Sequence, residues 1–145
     1  MRYDNFIKEI DKFIVENDHE NHFLKTREEY YWNYILHLSR LFKAKQIFLQ
    51  WDKFGKLTAV CGWILTNKEQ QKYINKITWE LPKEISQGEI LYISFCIIKD
   101  GKMDLFKKRF ISLLADKVNE VFWFDMKRNK YFRIKNIYKK EFSYV

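Results

Sequence analysis

The first part of the chain carries apolar side chains at helical spacing. Five of them, three or four residues apart, mark an amphipathic first helix: Phe6, Ile7, Ile10, Phe13 and Ile14. Because the polar run Glu16-Asn17-Asp18 follows, the first helix is predicted to end there. A second helix, in one piece or two, is predicted over residues 20–42, where apolar and aromatic residues recur with the same period.

The middle of the chain changes to the pattern of β-strands. Gln46–Trp51 and Leu57–Leu65 flank the turn Asp52–Lys56, whose glycine accommodates a positive φ. These stretches predict an antiparallel hairpin. Glu89–Ile98 is apolar at almost every position, which is typical of a central strand covered on both faces.

Helix signals return after the hairpin. Thr66 and Glu69 have the spacing of a capping box, so a helix is predicted over residues 67–76. Apolar residues at helical spacing predict another helix over residues 103–114.

The chain closes with strand-like segments. Glu120–Asp125 and Lys130–Ile137 predict a hairpin, and the last residues predict a frayed or edge segment. The predicted order is α-α-β-β-α-β-α-β-β. It favours one α+β domain over residues 1–145, with helices packed on a curved mixed sheet.

Composition narrows the class of protein. The 145 residues are 47% hydrophobic, with one proline and four glycines, which favours a packed core over a flexible linker. The longest apolar stretch, Ile90–Ile98, is far shorter than the roughly 20 residues of a membrane helix. With no apolar signal core at the N-terminus, we expect a cytoplasmic protein. Cys61 and Cys96 are then expected to be buried thiols.

The net charge of +8 favours an anionic partner, although a lysine-rich composition typical of an AT-rich genome explains part of it. Seven Lys or Arg residues lie between Lys127 and Lys140, interleaved with aromatic residues. Lys130, Arg133 and Lys135 are therefore candidate contacts to nucleic acid. Ordinary alternation along a strand explains the same pattern equally well.

The chain offers few groups for catalysis. His19, His22 and His37 are the only histidines, and no HExxH or CxxC motif is present, so no metal site is predicted. His22 or His37 could act as a general base near neutral pH. The turn Lys99–Lys102 lies between a strand and a helix and could hold a pyrophosphate, or could be a plain turn.

The order and spacing of four segments resemble a known family. From about Tyr31 to Ile137 the chain resembles the RTX-toxin-activating lysine acyltransferases, a divergent branch of the GNAT fold. The segments are "QIFLQWDKFGKLTAVCGWILT", "NKEQQKYINK", "SQGEILYISFCIIKDGK" and "FKKRF" followed by "VFWFDMKRNKYFRIKNI".

The resemblance implies transfer of an acyl group from a thioester, on CoA or an acyl-carrier protein, to a lysine amine. It implies that the pantetheine arm enters a split between Leu57–Leu65 and Glu89–Ile98, beside Trp63. Residues Asp100, Gly101 and Lys102 would lie near the phosphate end of the donor.

The resemblance also implies site residues. The position of the family's catalytic aspartate is Ser94 here, which joins the donor-binding set with Trp63. The family's early histidine has His22 as its nearest counterpart, while His37 is the other candidate base.

Three hypotheses remain open at this point. The chain is an N-acyltransferase, or an inactive homologue that binds a carrier. Alternatively, it is a small basic nucleic-acid-binding or protein-interaction protein of a mobile element or phage. The expected partners are an acidic carrier protein or a protein substrate, or nucleic acid. No oligomeric state is indicated.

Overall fold

A computed structural model describes residues 3–18, 23–99, 110, 112, 118–125, 128–135 and 141–144. The described helices are α1 (Tyr3–Asn17), α2 (Leu24–Glu29) and α3 (Tyr31–Lys43). The strands are β1 (Ile47–Trp51), β2 (Leu57–Thr66), β3 (Ile90–Ile98), β4 (Glu120–Asp125), β5 (Lys130–Lys135) and β6 (Glu141–Tyr144). A 3-10 turn, Gln70–Tyr73, lies between β2 and β3.

The described strands form one six-stranded sheet in the order β1-β2-β3-β4-β5-β6. Neighbouring strands are antiparallel, except that β3 and β4 are parallel. The α+β class with a mixed sheet is therefore confirmed. So are the hairpin β1–β2 and the central position of β3.

The helix predicted after β2 is wrong. Thr66 is still part of β2 and is fully buried, so it does not cap a helix. Asn67 Oδ1 accepts a hydrogen bond from the Gln70 amide at 3.0 Å, and one 3-10 turn follows. Tyr73 is 53% exposed. The segment therefore lacks the buried apolar stripe that stabilises most helices in proteins.

The helix predicted over residues 103–114 lies outside the described residues, except for Phe110 and Ser112. Both of these residues are helical. Residues 20–42 do form two helical pieces, α2 and α3, from Leu24 onward.

A carboxylate on α1 links the three described helices. Arg27 makes two hydrogen bonds to the Asp11 carboxylate, at 2.7 and 2.9 Å. The Tyr34 hydroxyl donates to the same carboxylate at 2.6 Å, and the rest of Tyr34 is buried. Since these residues lie on α1, α2 and α3, the carboxylate sets the position of each helix relative to the others.

The sheet separates two apolar clusters. The first lies under α1 and α3, and includes Ile14, Leu38, Val60, Tyr92 and Phe95. The second covers the other face, and includes Cys61, Leu91, Ile93, Phe110 and Val121. Cys61 and Cys96 are opposite each other on β2 and β3 without a disulfide, Cys61 buried and Cys96 partly buried.

A β-bulge interrupts the regular alternation of β3. Gly62 pairs with Phe95 and Trp63 pairs with Ile93, so Ser94 is the extra residue. Before the bulge Tyr92 belongs to the cluster under the helices, and after it Phe95 and Ile97 do. Because a bulge adds one residue, it changes which residues face the core.

Gly88 should be essential for the connection into β3. Its φ is +140°, and an added Cβ would overlap the Thr66 carbonyl oxygen. Gly88→Ala is expected to lower the free energy of unfolding by at least about 3 kcal/mol, because strain and overlap add. Gly55→Ala is the control, since its φ of +78° is also positive but no atom lies within 4 Å of the added Cβ.

The Gly55→Ala cost should stay near about 1 kcal/mol. Denaturant unfolding of the three proteins measures both values. Equal losses for the two variants would contradict the assigned overlap at Thr66.

Candidate functional site

The parallel strands β3 and β4 stop pairing part of the way along. Their register runs from Ile90 opposite Glu120 to Ile93 opposite Trp123. Beyond that point β3 continues for five residues, Ser94–Ile98, and β4 continues to Asp125. Among the described residues, the two strands therefore each have a length that is not paired with the other strand, beginning on β3 at the Ser94 bulge. We call this feature the β3–β4 gap.

The split expected from the resemblance, between Leu57–Leu65 and Glu89–Ile98, is wrong. These segments form the antiparallel strands β2 and β3, paired from Thr66 opposite Ile90 to Ala59 opposite Ile98. Trp63 lies one strand away from the β3–β4 gap. It is partly buried in the second apolar cluster, where its ring centroid is 6.4 Å from that of Phe110.

The bulge brings two predicted site residues together. Ser94 Oγ lies 3.0 Å from Nε2 of His37, which is on α3. The same hydroxyl has the Gly62 carbonyl oxygen, at 3.2 Å, as a second acceptor for its proton. His37 is buried, whereas Ser94 is partly exposed. Two residues predicted for different roles, base and donor binding, therefore form one hydrogen-bonded pair.

The second ring nitrogen of His37 determines its tautomer. Nδ1 lies 3.0 Å from the Trp79 carbonyl oxygen. Because a carbonyl oxygen can only accept, Nδ1 must carry a proton and donate it. In the neutral ring, Nε2 is then an acceptor directed at the Ser94 hydroxyl.

Burial holds His37 neutral. It lowers the pKa of His37 from 6.5 to about 4, with a smaller lowering from Arg40, while the hydrogen bond to Trp79 acts in the opposite direction. The Arg40 guanidinium itself donates to the carbonyl oxygens of Pro82 and Lys83, at 2.5 and 2.9 Å. His37 is thus an uncharged acceptor across the physiological pH range.

Trp79 holds the carbonyl in place with a strained backbone. Its φ is +63°, a left-handed conformation that costs a non-glycine residue about 1–2 kcal/mol. Its buried ring packs edge-on against His37 with a centroid distance of 5.1 Å, and Nε1 donates to Thr26 Oγ1 at 3.1 Å. Packing therefore fixes a conformation that points the carbonyl at His37.

A lysine lies on the β4 side of the gap. Phe124 is the first β4 residue beyond the paired segment, and the Lys76 ammonium lies 2.8 Å from its ring centroid. Burial lowers the pKa of Lys76. The Phe124 ring also meets Tyr131 edge-on at 5.1 Å.

The basic residues of β5 do not form one surface. Arg133 donates to Glu120 and to Gln71, both at 2.6 Å, and lies 4.4 Å from the Phe122 ring centroid. Lys130 and Lys135 are exposed. Since alternate residues of a strand face opposite sides, Lys130 lies on the face opposite to that of Arg133 and Lys135. Lys130 therefore does not share a face of the sheet with the other two candidate residues.

The remaining predicted site residues are His22, Asp100, Gly101 and Lys102, which lie outside the described residues. Within the described part of the chain, no group of three His, Cys, Asp or Glu residues is arranged to hold a metal ion. No helix in that part is long and apolar enough to cross a membrane.

Comparison with known proteins does not assign the chain to a family. No protein-family model matches the sequence, and no curated protein matches it significantly. Function is therefore argued from the geometry of the site.

Two members of the site had no signal in the sequence. Trp79 contributes a backbone carbonyl, which any residue type carries. Lys76 is one lysine among many, and only the loop after β2 brings it to Phe124.

Stability should depend on pH through His37. Its pKa is about 4 in the folded protein and 6.5 as the ordinary value, so the unfolded chain binds the proton first as pH falls. The contribution of neutral His37 to the free energy of unfolding is complete above about pH 6.5 and is lost progressively toward pH 4. Between pH 7 and pH 5 the free energy of unfolding should fall by about 2 kcal/mol through His37 alone.

His37→Asn is the matched control, because its amide can still donate to the Trp79 carbonyl but does not titrate. Denaturant unfolding at several pH values gives the difference in free energy of unfolding between wild type and variant. A difference that stays constant from pH 7 to pH 5 would contradict the assignment.

Proposed function

We propose that this chain binds an acylated thioester, carried by CoA or an acyl-carrier protein, in the β3–β4 gap and transfers the acyl group to an amine. The observation that carries the proposal is that parallel pairing ends at Ile93 and Trp123, immediately before the Ser94 bulge. The pantetheine arm of such a donor is slender and contains amides. An extended chain with amide groups suits the unpaired edge of a strand.

The donor arm would lie along β3. Backbone amides of β3 beyond Ile93 would polarise the thioester carbonyl, as donors do at other acyl-transfer sites. The attacking amine must lose a proton, and His37 can accept it through the Ser94 hydroxyl, since the hydroxyl lies 3.0 Å from Nε2. An inactive homologue would use the same gap for binding alone.

The charge of the chain supports an anionic donor. A net charge of +8 suits the phosphates of CoA or the acidic surface of a carrier protein. Asp100, Gly101 and Lys102 follow β3 and Lys99 in sequence and remain the predicted phosphate site.

Binding of a thioester can be tested through Phe124, which lies on the β4 side of the gap. Purified protein is titrated with acetyl-CoA, with a long-chain acyl-CoA and with an acylated carrier protein, and the melting temperature and the heat of binding are measured. Micromolar ligand should raise the melting temperature, because ligands that bind only the folded state stabilise it. Phe124→Ala should weaken binding about tenfold, or about 1.4 kcal/mol.

Phe54→Ala is the control, since Phe54 is 76% exposed on the β1–β2 turn, away from the gap. Absence of any shift with either ligand or with an acyl-carrier protein would overturn the proposal. So would equal affinities for the Phe124 and Phe54 variants.

Nucleic-acid binding is a second candidate, supported by the net charge; the exposed residues Lys130 and Lys135 lie on opposite faces of β5, and each would contact phosphate from its own face. Arg133 is kept unchanged in the test variant because it forms an ion pair with Glu120. The double variant Lys130→Gln/Lys135→Gln should then elute from heparin and from DNA at lower salt than wild type. Lys8→Gln/Lys25→Gln, also exposed and of equal charge change, is the control. Identical elution of the two double variants would count against this function.

A further inference from the structure

The Ser94 hydroxyl and the His37 ring have the arrangement of a nucleophile and its base. Such a pair needs the hydroxyl within hydrogen-bond reach of an imidazole nitrogen, and a third group that orients the ring. Ser94 Oγ is 3.0 Å from Nε2, and the Trp79 carbonyl, 3.0 Å from Nδ1, is the third group. Because the Trp79 carbonyl keeps the ring proton on Nδ1, the other nitrogen, Nε2, is free to accept the proton of the serine.

The position of Ser94 gives the pair access to a ligand. His37 is almost fully buried, whereas Ser94 is partly exposed. Ser94 is also the first β3 residue beyond the segment paired with β4. A thioester lying in the β3–β4 gap would therefore meet the serine oxygen before it met any other part of the pair.

The surroundings of the pair restrain it from several sides. The backbone of Trp79 adopts a left-handed conformation whose carbonyl lies on Nδ1. The rings of Trp79 and Phe95 pack against the imidazole, with centroid distances of 5.1 and 6.3 Å. A base that is held in one tautomer and one orientation is preorganised for proton transfer.

We propose that Ser94 is acylated by the thioester in the β3–β4 gap, so that acyl transfer proceeds through an ester on Ser94. This inference rests on the proposed function. Ser94 Oγ attacks the thioester carbonyl carbon while its proton passes to His37 Nε2. The C–S bond then breaks, and the departing sulfur takes the proton from Nε2 and leaves as a thiol.

The second half of the reaction reverses the roles. An acceptor amine attacks the Ser94 ester, the C–O bond breaks, and an amide forms. The serine oxygen recovers a proton from the amine through His37. No oxidant, reductant or metal is needed, and the ring returns to its starting tautomer.

Two other nucleophiles near the gap would leave different products. Lys76, next to Phe124, would form an amide. Cys96, on the β3 segment beyond Ile93, would form a thioester. The stability of the adduct to hydroxylamine separates the three cases. An amide is stable, a thioester is cleaved at neutral pH, and an oxygen ester is cleaved under alkaline conditions.

The experiment incubates the purified full chain with acetyl-CoA and with a long-chain acyl-CoA, without an acceptor amine. Intact-mass and peptide mass spectrometry then locate the adduct, before and after hydroxylamine treatment. We expect an ester on the peptide containing Ser94. Ser94→Ala should abolish it, and His37→Asn, which keeps a donor for Trp79, should slow its formation at least about 100-fold.

Ser86→Ala is the matched control. Ser86 is a second serine whose hydroxyl bonds a side chain, Gln46 Oε1, but it belongs to the loop beside the end of β2 rather than to the gap. The Ser86→Ala variant should be acylated on Ser94 to the same extent as the wild-type protein. Melting curves with acyl-CoA are recorded for every variant, so that loss of binding is distinguished from loss of acylation.

Protein that binds acyl-CoA but forms no adduct would overturn the inference and leave the proposed function in place. An amide on Lys76 or a thioester on Cys96 would do the same. Absence of binding in wild type would overturn the proposed function, and the acyl-serine with it.

Discussion

One extra residue in β3 is the constraint on which the rest of the structure depends. Without the bulge at Ser94, strict alternation would place Phe95 and Ile97 on the face away from α3. Each buried side chain of this size contributes about 1.5–3 kcal/mol, so their inclusion under the helices matters to the fold. The same extra residue puts the Ser94 hydroxyl under His37, and pairing with β4 ends beside it.

A buried histidine would be costly if either ring nitrogen lacked a partner. In this chain both nitrogens are satisfied, by Ser94 and by the Trp79 carbonyl. The imidazole therefore stays neutral and fixed in one tautomer, while the strain in Trp79 is offset by the packing of its ring. The contacts that satisfy the buried ring also place Nε2 within hydrogen-bond reach of the Ser94 hydroxyl, which is the geometry that general-base catalysis requires.

The positive charge of the chain and the β3–β4 gap lie at different parts of the molecule. The β3–β4 gap is formed by backbone and by apolar side chains such as Phe124, which suits a slender thioester arm. In the described part of the chain, exposed lysines lie on separate elements, such as Lys8 on α1 and Lys130 on β5, and Arg133 is occupied by Glu120 and Gln71. A phosphate-bearing donor would thus be attracted by the surface charge as a whole and selected by the gap.

Local patterning in the sequence was sufficient for α1, for the β1–β2 hairpin and for the central strand β3, because helical and strand periodicities are properties of neighbouring residues. Local patterning misassigned the segment after β2, where a capping signal was present but no apolar face followed it. The split was expected between the wrong strands, because which strands pair, and how far, depends on residues distant in sequence. His37 was predicted from its residue type and Ser94 from the resemblance to a family, but the two are 57 positions apart. Only the tertiary structure, through the bulge and the backbone of Trp79, could bring them within hydrogen-bond distance and decide which nitrogen of the ring faces the serine.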